Sequence, residues 1–263
     1  MVKQAMPYKI LAFGHTDKGL VRQNNEDVWG EVAELGLFVL ADGMGGHRAG
    51  EVAAREAVAV LCRLVRKALE QKETPSIQEM VYILERSIEQ VNSAVYKLGR
   101  SDDQLRGMGT TICCLQFHRE GAIYAHVGDS RIYRLRAKKL EQLTSDHSLL
   151  RELIDLGQIN EDESSEFLYK NIITKAIGTE PTVEPSIHVC DIADGDLFLM
   201  CTDGLSDLLT KDDMEAIINR APTIRDAGKT LVACAKERGG YDNITIVIMQ
   251  VQEVNEKKQD LSR

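Results

Sequence analysis

The sequence predicts an α+β fold in which helices cover stacked sheets. Three observations predict it. Short apolar runs of strand length open the chain, two long segments with helical periodicity follow, and strands then helices recur behind them. Neither an internal repeat nor a dividing linker interrupts this order. One domain is therefore expected over residues 1–252, with a polar, frayed tail over 253–263.

Taken in order, Tyr8 to Phe13 suits a first strand, and Val28 to Val32 and Leu35 to Ala41 suit two more, with Glu34 and Gly36 near the turn. From Ala49 the period changes. Ala53, Ala57, Val60, Leu61, Leu64 and Val65 recur at three- and four-residue steps, as on one face of a helix. Pro75 opens a second helix with Met80, Leu84, Ile88, Val91 and Val95 on one face, and Gly99 is its expected stop. Thr110 to Phe117, Ala122 to Val127, Arg131 to Leu135 and Leu140 to Leu143 read as antiparallel strands joined by tight turns. Ser148 to Leu156 reads as a short helix, and the acidic stretch Glu161 to Glu166 as a loop. Strands near 184–190 and 196–201, helices near 211–220 and 223–238, and a last strand from Ile244 to Val251 complete the chain.

The composition, 43% apolar and 28% charged over 263 residues, is that of a globular protein with material for a substantial core. The formal charge is −9, from 41 acidic and 32 basic side chains, and a field of that sign repels nucleic acid and anionic lipid. No uncharged apolar run approaches the ~18 residues of a membrane span. Met1 to Pro7 lacks the apolar stretch of a signal peptide. The six cysteines (Cys62, Cys113, Cys114, Cys190, Cys201 and Cys234) form no C-x-x-C pair and read as reduced thiols in a cytoplasm. A soluble cytoplasmic monomer without membrane or nucleic-acid partners is expected.

Acidic side chains recur where strands meet loops. Glu26-Asp27 precedes one strand, Asp42-Gly43 follows another, and Asp129 follows His126-Val127. Asp203-Gly204 follows Leu199 to Thr202, and Asp242-Asn243 sits just before the last strand. Any one such pair is ordinary turn chemistry. Five, each at a strand end, point to an oxygen-rich cage suited to Mg²⁺ or Mn²⁺.

The motifs resemble those of the PPM family, the PP2C-type metal-dependent Ser/Thr protein phosphatases, in a bacterial-like single-domain form. The matching stretches are Thr16 to Asp27, Ala41 to His47, Gly107 to Thr111, Val127 to Arg131, Asp146 to Ser148, Thr202 to Leu205 and Asp242 to Thr245, in the family's order. The resemblance implies a four-layer α-β-β-α sandwich, two antiparallel β-sheets flanked by helices, with a flap segment near 150–176. It implies hydrolysis of phosphoserine and phosphothreonine by direct attack of a metal-bridging hydroxide. Two Mn²⁺ or Mg²⁺ ions in the core site and a third, weaker position go with it.

Carried over by position, Asp42 bridges two ions, the Gly43 carbonyl adds a ligand, and Asp203 and Asp242 complete the other shell. Glu26 and Asp27 act beside or through bound waters, and Asp129 with Asp203 offers the third position. Arg22 binds the substrate phosphate, for which a guanidinium fork is suited. Implied partners are phosphorylated proteins, the substrates of a cognate Ser/Thr kinase. Where many eukaryotic members carry a histidine after Asp-Gly, this chain has Met44, which has no proton to give. Met44 and the short length fit a prokaryotic origin, and the general acid is unassigned; His47 is a secondary candidate.

Two other readings compete. Cys113 to Arg119 fits the C-x5-R pattern of cysteine-dependent phosphatases but has no glycine to wrap a phosphate. A catalytically inactive phosphoprotein-binding module is the second, and the intact set of matched acids argues against it.

Overall fold

The computed structural model describes residues 7–45, 49–70, 75–160, 167, 169 and 171–254. In chain order the strands are β1 (Tyr8–Asp17), β2 (Asp27–Val32), β3 (Leu37–Met44), β4 (Gly109–Thr110), β5 (Ile112–His118), β6 (Gly121–Val127), β7 (Arg131–Arg136), β8 (Lys139–Gln142), β9 (Ser186–Cys190), β10 (Leu197–Cys201) and β11 (Ile244–Glu253). The helices are α1 (Ala49–Glu70), α2 (Ile77–Ser101), α3 (Leu149–Asp155), α4 (Asp203–Ser206), α5 (Lys211–Arg220) and α6 (Ile224–Glu237). One sheet runs β1-β11-β10-β7-β8 and the other β2-β3-β5-β6-β9, with β4 paired to the end of β3. All these pairings are antiparallel.

Strand alternation builds three cores. Val39 and Ala41 of β3 face α1 and α2, packing with Ala53, Ala57, Leu61, Leu84 and Ile88. Phe38 and Leu40 point the other way, onto Phe117, Phe198, Met200, Val247 and Met249 between the sheets. Ile244, Ile246 and Ile248 of β11 pack with Leu205, Met214 and Leu231 beneath the remaining helices. Both faces of each sheet are thus covered, which produces the four-layer α-β-β-α sandwich. At ~25 cal/mol per Å² of apolar area removed from water, these cores dominate the stability.

Several expected boundaries move. The second helix begins after Ser76, not at Pro75, because Ser76 and Glu79 form a capping box that satisfies free N–H groups. It runs through Gly99 to Ser101. A Cβ at Gly99 would lie 3.2 Å from the Leu105 carbonyl oxygen, so that glycine serves close packing rather than termination. The expected strand from Thr110 is interrupted at Thr111, where β4 leaves off and β5 begins. Ala137 and Lys138 turn the β7–β8 hairpin with φ of 48° and 67°, the left-handed pair such a two-residue turn demands. The Glu161 to Glu166 loop lies outside the described residues, as do Gly46 and His47.

Candidate metal centre

Antiparallel pairing brings the C-terminal ends of β1, β3, β6 and β10 beside the N-terminal ends of β2, β7 and β11. Each acid singled out in the sequence sits on that edge. Asp27 and Asp42 are register partners across β2 and β3. Asp129 lies in the β6–β7 turn, Asp203 opens α4 directly after β10, and Asp242 stands just before β11. The sheets meet where Thr202 Oγ1 donates to Asp27 Oδ2 at 2.9 Å.

The electrostatics are those of acids gathered near one another. Burial pushes Asp42 well above the ordinary carboxylate range, and the charges of Asp27, Asp203, Asp129 and Asp242 push it further. Asp27 rises to about 7, through burial and then the nearby Asp203 and Asp242, against hydrogen bonds from Thr245 and Thr202. Asp129 rises to about 7 through burial, Asp203 and Asp146. Asp203 rises to about 6 through burial, Asp242 and Asp207, while a hydrogen bond shared with Asp42 opposes the rise. Glu26 is also raised, first by burial. These are the marks of like charges gathered in a buried place, which Arg22 and Arg131 offset only in part.

Among the described residues, no three His, Cys, Asp or Glu side chains already stand in ion-holding geometry. One of the acids engages another group: Arg22 Nη2 donates to Asp242 Oδ2 at 2.6 Å. The donor chemistry nonetheless fits a hard divalent cation. The matched side-chain donors are all carboxylate oxygens, as such ions prefer. Oδ1 of Asp27 and Oδ1 of Asp203 are buried without a hydrogen-bond partner among the described residues. A buried acidic oxygen left unpaired is costly, and a cation relieves it.

Close backbone approach holds the acids in place. A Cβ on Gly43 would lie 2.2 Å from the Gly50 carbonyl oxygen, and one on Gly50 would lie 2.1 Å from Glu26 Oε2. The end of β3, the start of α1 and the Glu26 carboxyl therefore touch only because those positions are glycine. Met44 ends β3 paired with Gly109 and supplies no proton. Beside Asp203 a cavity of about 340 Å³ opens, lined also by Asn171, Gly204 and Leu208. A second cavity, bounded by Asp129, Arg131 and Asp203, adjoins it, the two sharing Asn171, Asp203 and Asp207.

The supporting residues were given no role from sequence. Asp42 N–H donates to Thr111 Oγ1 at 2.9 Å, Thr110 Oγ1 and Thr111 N–H both donate to the Asp42 carbonyl, and Thr111 Oγ1 bonds Ser130 Oγ at 2.7 Å. The Asn243 side chain accepts from Glu26 N–H and donates to the Lys18 and Asn24 carbonyls. The Arg131 guanidinium grips Asp146 through both oxygens, at 2.6–3.0 Å, behind Asp129. The signal available was position: Ser130, Arg131 and Asn243 stand within two residues of a singled-out acid, while Thr110, Thr111 and Asp146 fall inside matched motifs. His147 Nδ1 accepts from Gly128 N–H, so its Nε2 donates to Ser186 Oγ. His126 donates to the Ser145 carbonyl and stacks on His147 with centroids 4.5 Å apart. Burial holds both imidazoles neutral, with His147 down to about 4. They brace this loop.

The cysteine-phosphatase pattern fails on geometry. Cys113 is fully buried inside β5, and burial drives its thiol well above the ordinary value. A thiolate nucleophile needs the reverse.

A sequence profile of the protein phosphatase 2C family matches residues 13–239. The serine/threonine phosphatase stp of Listeria monocytogenes is 35% identical over 253 residues, spanning 94% of this chain and 98% of that protein. Among solved structures, the Mycobacterium tuberculosis serine/threonine phosphatase PstP/Ppp superposes with a TM-score of 0.85 at 32% identity, covering 93% and 99% of the two chains. The catalytic domain of PstP in complex with 2 manganese ions superposes with a TM-score of 0.82 at 32% identity, covering 94% and 100%.

Proposed function

This chain belongs to the protein phosphatase 2C family, and from that footing we propose that Asp42, Asp203 and Asp242 hold the divalent cations with which it hydrolyses phosphoserine and phosphothreonine in proteins. It is a metal-dependent Ser/Thr protein phosphatase. The observation that carries the residue assignment is the pair of buried oxygens on Asp27 and Asp203, without a hydrogen-bond partner among the described residues, within one group of carboxylates whose pKa burial and mutual charge raise.

Two Mn²⁺ or Mg²⁺ ions supply hydroxide near neutral pH by lowering the pKa of water they bind. The remaining work belongs to the chain. Asp42, the Gly43 carbonyl, Asp203 and Asp242 would hold the ions, with Asp203 and Asp242 reaching in from the facing sheet. Glu26 and Asp27 would act beside them or through bound waters, and Asp129 with Asp203 would offer the third, weaker position. Arg22 is about half exposed, and a single N–H contact ties it to Asp242. The rest of its planar fork is suited to two phosphoryl oxygens, orienting phosphorus for attack and opposing the charge that develops there. Thr110, Thr111, Thr202 and Asn243 keep the acids from relaxing apart.

Substrates are the phosphoproteins of a cognate Ser/Thr kinase, which gives the enzyme a part in signal transduction. Among the described residues no helix is long and apolar enough to cross a membrane. Six free thiols fit a reducing cytoplasm, and the chain acts there as a monomer. The test is metal reconstitution on phosphopeptides after chelation. Mn²⁺ should restore turnover of the wild type, while Asp42→Ala and Asp203→Ala stay at least ~100-fold lower, beyond what loss of a supporting residue costs a metal site. Full turnover by either variant, or by chelated wild type, refutes the assignment. Tight phosphopeptide binding without turnover would establish the inactive binding module instead.

A further inference from the structure

We infer that Leu20, Val21 and Tyr241 form an apolar rim that selects phosphoprotein segments carrying a large apolar side chain next to the phosphorylated residue. The inference rests on the phosphatase reading above and on Arg22 as the phosphate contact. In a chain of formal charge −9, these three side chains stand 63%, 59% and 64% exposed. They are not scattered. Leu20 and Val21 immediately precede Arg22, and Tyr241 immediately precedes Asp242, the residue to which Arg22 is bonded.

Two loops are sewn together to present them. Leu20 N–H donates to the Gly240 carbonyl at 2.8 Å, and Gly19 N–H donates to Asp17 Oδ1. Lys236 Nζ holds the other oxygen of Asp17 at 2.8 Å, and Asn243 Nδ2 holds the Lys18 carbonyl. Gly19 has φ of 77°, and a Cβ there would lie 2.1 Å from the Asp242 carbonyl oxygen, so the loops lie in direct contact. A Cβ on Gly239 would lie 2.3 Å from Cζ of Tyr241, so the ring folds back over that glycine. Such a ring is positioned before substrate arrives, and little ordering entropy remains to be lost on binding. Tyr241 also lines the 340 Å³ cavity with Asp203 and Asp242, so the rim and the acid group share one opening.

An exposed apolar patch normally marks a contact surface. Continuity with the phosphate contact fixes the occupant as the substrate polypeptide itself. The adjoining carboxylates disfavour acidic neighbours, while Leu20, Val21 and the Tyr241 ring offer area to an apolar one.

The experiment uses the full chain loaded with Mn²⁺ and two phosphothreonine peptides that differ only in having Phe or Ser beside the phosphorylated residue. p-Nitrophenyl phosphate, which has no flanking residue, is the control. Wild type should favour the Phe peptide by about tenfold in kcat/KM, the discrimination a few buried carbons give. Tyr241→Ser should lose most of that preference through KM, and Tyr241→Phe should keep it. Leu20→Ser is a second, independent variant and should lose part of it. Aryl phosphate turnover and the Mn²⁺ concentration for half activation should stay within about twofold. Equal kcat/KM of wild type on the two peptides overturns the rim. So does a Tyr241→Ser loss that is equal on peptide and aryl phosphate. Wild type inert on all three substrates would instead remove the phosphatase reading on which the inference stands.

Discussion

Replacing Gly204 by alanine tests the metal centre through steric contact alone. Its φ is not in the left-handed region, so alanine adds no backbone strain, only a methyl group. That methyl would sit 2.0 Å from the Asn243 carbonyl oxygen and 3.4 Å from Cβ of Asp242. Ordinary van der Waals contact begins near 3.4 Å, so the β10–α4 turn and the β11 entrance must separate by about 1.4 Å. Neither side can yield by rotating a side chain, since the obstacle is backbone. Asp203 moves with Gly204 and Asp242 with Asn243, so the separation falls directly between two proposed ligands of one ion. A misplacement of ~1 Å in a catalytic arrangement costs on the order of 100-fold in rate. Overpacking a buried site costs about 1–3 kcal/mol, roughly 2–10 °C in Tm for a chain of this size. The assay is kcat on p-nitrophenyl phosphate across a Mn²⁺ titration, with Tm measured alongside. Gly204→Ala should fold, need more Mn²⁺ for half activation, and turn over about 100-fold more slowly at saturation. A folded variant within threefold of wild type at the same Mn²⁺ would refute the claim that Asp203 and Asp242 act on a common ion.

Thr111→Val preserves shape but strips the hydroxyl that accepts from Asp42 N–H and bonds Ser130 Oγ. Leaving those buried groups unpaired should cost about 1–3 kcal/mol of stability and lower kcat, read by thermal denaturation and turnover; an unchanged Tm counts against the clamp. The His147 pKa of about 4 is below its unfolded value, so the unfolded chain takes the proton first as pH falls. Its contribution is therefore present above about 6.5 and lost between about 6.5 and 4, and His147→Asn should flatten the fall in Tm from pH 7 to pH 5 relative to wild type. Parallel curves for the two proteins would mean the imidazole does not titrate as described.

The helices were legible because apolar spacing is local. The caps are local too, with Ser76 and Glu79, Thr210 and Asp213, and Thr223 and Asp226 each three residues apart, yet the expected start at Pro75 passes over the first of them. The acids were legible because an aspartate beside a glycine or asparagine at the end of an apolar run marks a strand end. What sequence could not reach depends on how the sheets stack. The hydrogen bond from Thr202 to Asp27 spans 175 positions, and the Arg22–Asp242 pair spans 220. No local pattern encodes either. The tight turn between Leu135 and Leu140 was expected, but its left-handed Ala137-Lys138 pair was not legible, since neither residue favours the conformation both adopt. The C-x5-R match already fails in the sequence for want of a glycine, and burial adds a second reason, since the strand places Cys113 in the core.

The centre carries two electrostatic difficulties, and one agent answers both. The first is internal. Asp27, Asp42, Asp129 and Asp203 all resist ionisation, and two of their buried oxygens have no hydrogen-bond partner among the described residues. Left alone, such a group would relax apart or stay protonated. The surrounding framework prevents the first, through the three hydrogen bonds of the Asn243 side chain, the threonine bonds and the close backbone contact at Gly43 and Gly204. The second is external, because a phosphate ester must approach a chain of charge −9 at the place where its acids are densest. Arg22 offsets only part of that field, and in this structure it is already paired with Asp242. Divalent cations seated among the carboxylates would take up the unpaired oxygens and offset most of the local negative charge at once. The coupling has a direction: the geometry that makes the cation-free site unfavourable also makes cation binding and phosphate binding mutually reinforcing. Phosphate affinity should therefore collapse on chelation even though Arg22 remains, whereas a site that relied on Arg22 alone would keep it.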